Sequence, residues 1–504
     1  MTQSTDLSGP SSIKLEIPTP LFLEDHQING RPVLAGAHAT NLIAKETRDQ
    51  KPEIDVTRSG PARFLRLLPL EKNRETIEAE IRISDETGKC ASAALYTRRR
   101  AGRSSMIRSK KHVEVQFRGP EHRPDEHWDI LCGLEGVCLR VDAKEIYDEV
   151  VDFGPSFHNI VGTVYMSQDG ALGRVKAPVH ENDFTHCGPL GSFFPIDAAF
   201  HMASAWSTRY TGRIVFPTGY SHRVVVAPPL PGQTFYCRVL PKCIQGSSLE
   251  FDIYLHEADG AVVEKMLGVS MTDFPGKDHR APLKMKNLFQ DDLPGRCTGF
   301  SIVELETVPP YADRSFSESE SARYNGLGPG RKRSFAAAHL ALKRLARRLG
   351  KNEIESNELC TVAGEEHLPV CPAGDVAGAD YASAAHDDRF AVAVTAGSPV
   401  GVDVEKISGK VERAARFFLT PEEEEMVRGI KDMQRTEALT RIWCTKESAT
   451  KALHIPLAES FKKVRVSRVD PGGCIAHINE GTHTVLSAEI DGHIISVLVL
   501  GPAS

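Results

Sequence analysis

GVDVE at residues 401–405 and RIWCTKESATKAL at residues 441–453 are the stretches that decide the fold of the C-terminal part of this 504-residue chain. In the first stretch, Asp403 and Glu405 lie within an apolar run that is typical of a strand. Side chains alternate faces along a strand, so both carboxylates point the same way. Two like charges repel unless a cation lies between them, and oxygen-only ligands favour Mg²⁺. The pattern predicts a magnesium site.

The second stretch predicts a packed helix that brings a third carboxylate. Its apolar residues are Ile442, Trp443, Ala449, Ala452 and Leu453. Glu447 and Lys451 are four residues apart and therefore share one helix face. We expect Glu447 to complete the metal site, while Lys446 and Lys451 neutralise a diphosphate or handle a proton. Taken alone, such a Glu/Lys pair is more often a solvated helix face.

Taken together, the two stretches resemble the signature of the 4'-phosphopantetheinyl transferases. The resemblance includes an upstream half and is strongest to the longer, surfactin-synthetase-activating type, in which two similar halves share one chain. It implies a pseudo-dimeric α+β domain over residues 300–504. It also implies that Asp403, Glu405 and Glu447 hold Mg²⁺ on the diphosphate of coenzyme A, the co-substrate.

The same resemblance implies the reaction, that of a holo-[acyl-carrier-protein] synthase. A serine of an acyl carrier protein attacks the β-phosphate of coenzyme A, and 3',5'-adenosine diphosphate leaves. Lys446 and Lys451 stabilise charge or assist deprotonation of the serine, and Lys446 also contacts coenzyme A. Charge neutralisation and alignment account for most of such a catalysis.

Basic residues open a predicted helix in the upstream half, at Arg331, Lys332 and Arg333. Cations at a helix N-terminus oppose the helix dipole, and a bound anion such as a phosphate of coenzyme A relieves that conflict. Arg333 aligns with a family position of that kind, and His386 is retained as a contact to the diphosphate. The alternatives are a solvated basic surface for the cations and a structural role for His386.

Two departures from the family pattern concern affinity for coenzyme A more than the chemistry. Leu368 precedes Pro369 where relatives carry a basic residue, and Ala385 precedes His386 where they carry serine.

Residues 11–285 have a different, strand-rich pattern, with runs such as HVEVQF and TFYCRVL between Gly, Pro and Asp. Two short stretches with helical spacing interrupt it, at residues 35–46 and 197–210. One helix in each half, about 11–135 and 145–285, suggests two copies of a sheet wrapped around a helix.

Two motifs in this region resemble those of polyketide synthase dehydratases. FLEDHQING places His26 four residues before Gly30, and FFPIDAAFHMASAW places Asp197 at a helix start with His201 one turn later. They resemble HxxxGxxxxP and DxxxQ/H, which a double-hotdog fold brings together from its two halves. DFGPSFHN, at residues 152–159, resembles the YGPxF turn of that family.

The dehydratase resemblance implies acid–base chemistry on a 3-hydroxyacyl thioester. A neutral His26 suits the base that removes the α-proton, and Asp197 kept protonated in an apolar tunnel suits the acid. His201 orients Asp197 or the departing hydroxyl. Taken alone, His26 is a turn histidine and Asp197 a helix N-cap. The two motifs in the expected order favour the dehydratase.

Three departures affect the dehydratase motifs without removing the acid/base pair. Ala35 replaces the final proline of the first motif, Phe153 replaces the tyrosine of the turn, and an upstream HP is reduced to Phe194-Pro195. The rival interpretations are a noncatalytic acyl-binding scaffold and a hotdog thioesterase. The order of the two regions resembles the C-terminal end of iterative, enediyne-type polyketide synthases.

Composition narrows the partners to small molecules and proteins. Lys plus Arg number 61 against 67 for Asp plus Glu, and the net charge of −6 predicts no general affinity for nucleic acid or membranes. Eleven cysteines without a CxxC pair indicate a reduced, cytoplasmic protein. Seven Lys or Arg in residues 97–112 predict a solvated hairpin, or a docking patch for an acidic carrier protein. Homodimerisation is left open.

Overall fold

The computed structural model describes residues 11–71, 75–85, 90–100, 107–118, 127–180, 188–245, 248–274, 276, 279–282, 297–349, 355–358 and 381–501. The basic segment 97–112 lies partly outside the described residues, and Leu368 with Pro369 lies wholly outside them.

The chain divides into two compact units. The first comprises residues 1–128 and 139–283, and the second comprises residues 129–138 and 284–504. The division near residue 284 lies beside residue 285, the predicted end of the strand-rich first region. The sequence pattern gave no sign that residues 129–138, between the two predicted halves of the first region, belong to the second unit.

One 13-stranded sheet of antiparallel pairs forms the first unit. Its strands, with the small β2–β3 pair, are β1 Ser11–Pro18, β2 Gln27–Ile28, β3 Arg31–Pro32, β4 Asp55–Phe64, β5 Thr76–Asp85, β6 Cys90–Arg100, β7 Ile107–Arg118, β8 Leu139–Asp142, β9 Ile160–Ser167, β10 Gly170–Lys176, β11 Val215–Tyr220, β12 His222–Val225, β13 Thr234–Gln245, β14 Ser248–His256 and β15 Val262–Asp273. The sheet order is β1-β5-β6-β7-β4-β11-β15-β14-β13-β10-β9-β8, and β12 pairs with β15 and β4. The early and late strands therefore form two halves that join at β4.

Each half of this sheet packs on a helix. The helices of the unit are α1 Gly36–Gln50, α2 Ala143–Glu149 and α3 Phe194–Thr211. Helix α1 contacts β4, β6 and β7, and α3 contacts β9, β10, β11, β13 and β14. Almost every residue of α3 is buried, and most of these residues are small or apolar, which is typical of a helix enclosed by a sheet. The expected double-hotdog arrangement in an α+β fold is confirmed.

Helix α3 begins earlier than its sequence pattern predicts. Pro195 lies in the first turn, where its missing N–H costs no hydrogen bond, and Phe193 is the N-cap residue. Asp197 therefore lies within the first turn, and its backbone N–H donates to Phe193 O. The interpretation of Asp197 as a plain N-cap is wrong.

The second unit contains two sheets, each packed on a long helix. Its strands are β16 Gly299–Glu304, β17 Tyr381–His386, β18 Phe390–Ala396, β19 Val400–Lys406, β20 Val464–Asp470, β21 Gly473–Ile478, β22 Gly481–Ile490 and β23 His493–Val499. Its helices are α4 Glu318–Asn325, α5 Pro329–Arg348, α6 Gly409–Phe418, α7 Pro421–Gly429, α8 Arg435–Leu453 and α9 Leu457–Lys463. Helix α5 covers β16-β18-β17, and α8 packs on β19-β23-β22-β21-β20.

A close backbone contact sets the distance between β19 and α8. A Cβ atom placed on Gly401 would lie 1.8 Å from the carbonyl oxygen of Ser448, a distance no side chain tolerates. Only glycine lets the strand approach the helix this closely. The glycine of GVDVE therefore brings the carboxylates of β19 beside the side chains of α8.

A buried ion pair stabilises the upstream half of the second unit. Ser317 and Glu320 form a capping box at the start of α4. Glu320 Oε2 lies 2.6 Å from Nζ of Lys343 on α5, and neither side chain is exposed. The lysine also donates to the carbonyl oxygen of Ser315.

The downstream half repeats the same arrangement. Thr420 and Glu423 form a capping box at the start of α7, and Glu423 Oε2 lies 2.8 Å from Nζ of Lys446 on α8. Lys446 also donates to the carbonyl oxygen of Phe418. In both halves the lysine follows the glutamate by 23 residues and the carbonyl by 28. This repetition is expected of a pseudo-dimeric domain.

Among the helices of the described residues, none is long and apolar enough to cross a membrane.

Candidate active sites

A cavity of about 530 Å³ lies inside the first unit. Apolar side chains form much of its wall, Leu68 and Phe200 among them, and His26, Asp197 and His201 also line it. These three polar side chains are at least nine-tenths buried. The fold therefore brings the two predicted motifs, which lie far apart in the sequence, to one cavity.

Two hydrogen bonds join His26 to Val33 and fix the histidine. His26 Nδ1 lies 2.9 Å from Val33 O, and Val33 N donates back to His26 O over 2.9 Å. A carbonyl oxygen only accepts, so Nδ1 carries the proton and Nε2 is left with its lone pair. Burial lowers the pKa of His26, against the opposing effect of the nearby Asp197 carboxylate. A neutral His26 with a free Nε2 is suited to act as a base.

The two departures nearest to His26 leave it well supported. Phe153, in place of the tyrosine, packs its ring 4.4 Å from that of His26 and 5.2 Å from that of His201, centroid to centroid. Ala35, in place of the proline, is fully buried at the N-cap of α1. The hydrogen bonds to Val33 therefore hold the loop without that proline.

Asp197 is linked through His201 to a further polar side chain, that of Tyr147. Its Oδ2 lies 3.2 Å from His201 Nε2, an ion-pair distance without the alignment of a good hydrogen bond. His201 Nδ1 lies 3.4 Å from the hydroxyl of Tyr147. Tyr147 lies on α2, outside the motif that carries Phe153, so no sequence pattern pointed to it.

The second unit gathers three carboxylates where β19 meets α8. Asp403 Oδ1 lies 2.9 Å from Nζ of Lys451, whereas its buried Oδ2 has no hydrogen-bond partner in the described part of the chain. Burial, followed by the charge of Asp403, raises the pKa of Glu405 and of Glu447 to about 7. The three carboxylates therefore lie close enough to influence one another electrostatically.

A hard divalent cation fits this group of residues. Asp403 Oδ2 is a buried acceptor that needs a partner, and all three side chains offer the oxygen ligands that Mg²⁺ prefers. Their ligand atoms are not all within 4.8 Å of one another in this structure.

A second group of possible metal ligands is more closely spaced, but most of its ligand atoms already have protein partners. The ligand atoms of Asp387, Asp388 and His493 lie within 4.8 Å of one another. His493 Nδ1 already pairs with Asp387 Oδ2, and Asp387 Oδ1 accepts two backbone N–H groups, those of Arg389 and Phe390. Asp388 is exposed and lies 3.4 Å from Lys406 Nζ. These contacts are those of a structural turn.

The two predicted lysines occupy different environments. Lys451 Nζ donates to Val402 O over 2.8 Å and to Asp403, which leaves its third hydrogen for another acceptor. Lys446 is fully buried against Glu423 and does not face the carboxylates. Its predicted roles in proton transfer and coenzyme A binding are therefore not supported by its position.

The predicted coenzyme A contacts of the upstream half, His386 and Arg333, also differ in their surroundings. Burial and the charge of Lys451 lower the pKa of His386, and the charges of Asp403 and Arg331 act on it too. His386 therefore lies near Asp403 and Lys451 and within electrostatic reach of Arg331, and both His386 and Arg331 keep part of their side chains exposed to solvent. Arg333 is exposed and has no ion pair or hydrogen bond to another described residue. The charge of the neighbouring Arg331 acts on the pKa of His386, which makes Arg331 the alternative candidate to Arg333 for a cation at this site.

Two different protein families match two different parts of the chain. Residues 399–498 match the 4'-phosphopantetheinyl transferase superfamily, and residues 134–281 match the polyketide synthase dehydratase N-terminal domain. The expected resemblance to both families is confirmed. The matches support phosphopantetheine transfer and dehydration of polyketide intermediates. No curated protein matches the chain.

Several solved structures are similar to about half of the chain. The dehydratase domain of a mycocerosic acid synthase-like polyketide synthase is 15% identical and covers 54% of this chain and 94% of its own, with a TM-score of 0.44. The dehydratase domain from the CurF module of curacin polyketide synthase is 15% identical, with coverages of 54% and 96% and a TM-score of 0.44. The dehydratase domain of RzxB from Pseudomonas fluorescens is 15% identical, with coverages of 52% and 94% and a TM-score of 0.42.

Proposed function

We propose that the chain is a bifunctional enzyme that acts on acyl carrier proteins. The second unit is a holo-[acyl-carrier-protein] synthase, which transfers 4'-phosphopantetheine from coenzyme A to a carrier serine. The first unit removes water from 3-hydroxyacyl groups attached to such an arm. The observation that supports the transferase activity is the proximity of the carboxylates of Asp403, Glu405 and Glu447. The buried Oδ2 of Asp403 has no hydrogen-bond partner in the described residues.

In the transferase, Asp403, Glu405 and Glu447 would hold Mg²⁺, which neutralises charge on the diphosphate of coenzyme A when bound. Lys451 is fixed by Val402 O and Asp403, and its remaining hydrogen serves a phosphate oxygen. The carrier serine oxygen forms a bond to the β-phosphorus, and the bond to the departing 3',5'-adenosine diphosphate breaks.

Coenzyme A binding involves the exposed residues at the edge of the carboxylate group. Arg331 lies at the start of α5, where the backbone N–H groups of a helix N-terminus also favour anions. His386 lies within electrostatic reach of both Arg331 and Lys451. A phosphate of coenzyme A near these cations relieves their mutual repulsion.

In the dehydratase, His26 Nε2 takes the α-proton of a 3-hydroxyacyl thioester. Asp197 delivers a proton to the 3-hydroxyl group, which leaves as water while the carbon–carbon double bond forms. Both groups line a cavity with apolar walls that suits an acyl chain. The observation that carries this activity is the convergence of the two side chains on that one cavity.

Intact-protein mass spectrometry tests both activities on the full chain. An apo carrier protein incubated with coenzyme A and Mg²⁺ should gain one phosphopantetheine group. A carrier loaded with a 3-hydroxyacyl group should then lose one water. Loss of the whole acyl group would instead identify a thioesterase, and an unchanged acyl carrier would identify a scaffold.

A further inference from the structure

The hydroxyl of Tyr147 already accepts two hydrogen bonds and can only donate a further one. Its oxygen accepts the backbone N–H groups of Asn159, over 2.9 Å, and Ile160, over 3.0 Å. A phenol oxygen accepts about two hydrogen bonds and donates one. With both acceptor positions occupied, the remaining interaction of this hydroxyl is donation of its own proton.

The atom that faces this proton is His201 Nδ1, at 3.4 Å. Because the phenol donates, Nδ1 must accept, and a neutral imidazole then carries its hydrogen on Nε2. Nε2 lies 3.2 Å from Asp197 Oδ2. The opposite tautomer would place an unprotonated Nε2 3.2 Å from that carboxylate oxygen, and two acceptors at this distance repel each other.

Packing keeps both rings in these orientations. The ring of His158 stacks on that of Tyr147 at 4.1 Å with an interplanar angle of 13°, and Phe153 meets His201 edge-on at 5.2 Å. Tyr147 is buried. Its burial raises the pKa of the phenol far above the usual value, so Tyr147 keeps its proton.

We infer that Tyr147 is a positioning residue that sets the tautomer of His201 and thereby places its ring hydrogen on Nε2, the nitrogen that lies 3.2 Å from Asp197 Oδ2. The other oxygen of Asp197 is then free to carry the proton that goes to the substrate hydroxyl. Tyr147 does not itself line the cavity, so it acts through His201. The consequence for the reaction rests on the proposed dehydration, whereas the tautomer does not.

The tautomer is measured directly by NMR on the full chain labelled with ¹⁵N-histidine. Long-range proton–nitrogen correlations distinguish protonated from unprotonated ring nitrogens, and a His201→Gln variant assigns the signal. We expect a protonated Nε2 and an unprotonated Nδ1 in the wild type. Tyr147→Phe should give a mixture of tautomers. A wild-type His201 with its proton on Nδ1 would overturn the inference.

A double-mutant cycle on dehydration tests the consequence. Tyr147→Phe should lower kcat by about tenfold, the rate equivalent of one hydrogen bond, with little change in KM. His201→Leu removes the group through which Tyr147 acts, so adding Tyr147→Phe to it should have no further effect on kcat. Additive losses would show that Tyr147 serves only the backbone of residues 159 and 160.

The two experiments separate the inference from the proposed function. If the wild type dehydrates no 3-hydroxyacyl carrier, the proposed function fails, and the NMR measurement still decides the tautomer. Thermal unfolding of each variant shows whether it is folded. If Tyr147→Phe does not fold, the wild-type tautomer alone supports or overturns the inference.

Discussion

The ammonium of Lys446 donates a 2.8 Å hydrogen bond to Oε2 of Glu423 in the core of the second unit. Neither side chain has appreciable exposed surface. The carboxylate also accepts the backbone N–H groups of Thr420 and Val466. Glu423 therefore organises the start of α7, and Lys446 supplies the charge that permits its burial.

The first prediction is that Lys446→Met destabilises the protein rather than disabling its chemistry. Removing one partner of a buried pair leaves an uncompensated charge, which typically costs about 3–5 kcal/mol. The equivalent change in the other half, Lys343→Met, should cost a similar amount. Denaturant unfolding of the full chain measures both.

Lys451→Met is the matched comparison on the same helix. Because Lys451 is partly exposed, this variant should unfold close to the wild type while losing transferase turnover. A stable, fully folded Lys446→Met protein without transferase activity would restore the catalytic role that the sequence predicts for Lys446.

The second prediction concerns the metal. Asp403→Ala or Glu447→Ala should lower carrier modification by roughly 100-fold or more, and excess chelator should abolish it, because charge on the diphosphate is then uncompensated. Asp388→Ala is the control, since it belongs to the alternative cluster of acidic residues and histidine. Full activity with chelator, or loss of activity only in the control, would contradict the assignment.

The third prediction compares two neighbouring arginines. Arg331→Ala should raise the KM for coenzyme A by about fivefold, as expected for a partly solvated charge contact, and the effect should shrink at high salt. Arg333→Ala should change KM less, because Arg331 is the cation of this helix start whose charge acts on His386. Dephospho-coenzyme A distinguishes a contact to the 3'-phosphate from one to the diphosphate. A larger effect at Arg333 would return the site to the position predicted by family alignment.

The fourth prediction concerns the acid/base pair. His26→Ala or Asp197→Asn should each lower dehydration by about 10²–10⁴-fold, and the double variant should be little worse than either alone. Burial lowers the pKa of His26, so the acidic limb of the kcat/KM profile should lie below pH 6.5. All three variants should modify an apo carrier normally. Equal losses of both activities would point to misfolding.

The fifth prediction is acid destabilisation through His256. Near-complete burial lowers the pKa of His256 to about 4, against the opposing effects of the Glu257 carbonyl and the Asp259 charge, whereas an unfolded chain binds the proton near pH 6.5. Between these two pH values the unfolded state binds more protons than the folded state. The free energy of unfolding therefore decreases as the pH is lowered from 6.5 to 4. This group should account for about 3 kcal/mol of the loss.

His256→Phe isolates this contribution because it retains an aromatic ring. The free energy of unfolding of the variant should depend less steeply on pH between 6.5 and 4 than that of the wild type. Parallel curves for the two proteins would show that His256 titrates normally in the folded state.

Local patterns predicted those parts of the sites that depend on short-range geometry. Alternation along β19 placed Asp403 and Glu405 on one face, and helical spacing placed Glu447 with Lys451. The same spacing argues against Lys446, since adjacent helix residues do not face each other. The family resemblance outweighed that signal, and the predicted role of Lys446 followed from it.

Contacts between distant elements were beyond any sequence pattern. Tyr147 meets His201 only because α2 packs against α3, and its neighbours in the sequence match no motif. Arg331 and Arg333 are the same residue type in the first turn of α5, so the sequence alone does not decide which of them acts on His386. The pairing of Glu320 with Lys343 likewise depends on packing between α4 and α5.

Because residues 129–138 belong to the second unit, no single cut divides the gene into two complete coding pieces. Arg344, almost fully buried, donates to the carbonyl oxygens of Leu134 and Ile130. A fragment that begins at residue 297 would lack both acceptors and so remove two hydrogen bonds from a buried guanidinium. Moving the second unit into another protein therefore requires the ten-residue segment to be moved with it, as a separate peptide or through circular permutation.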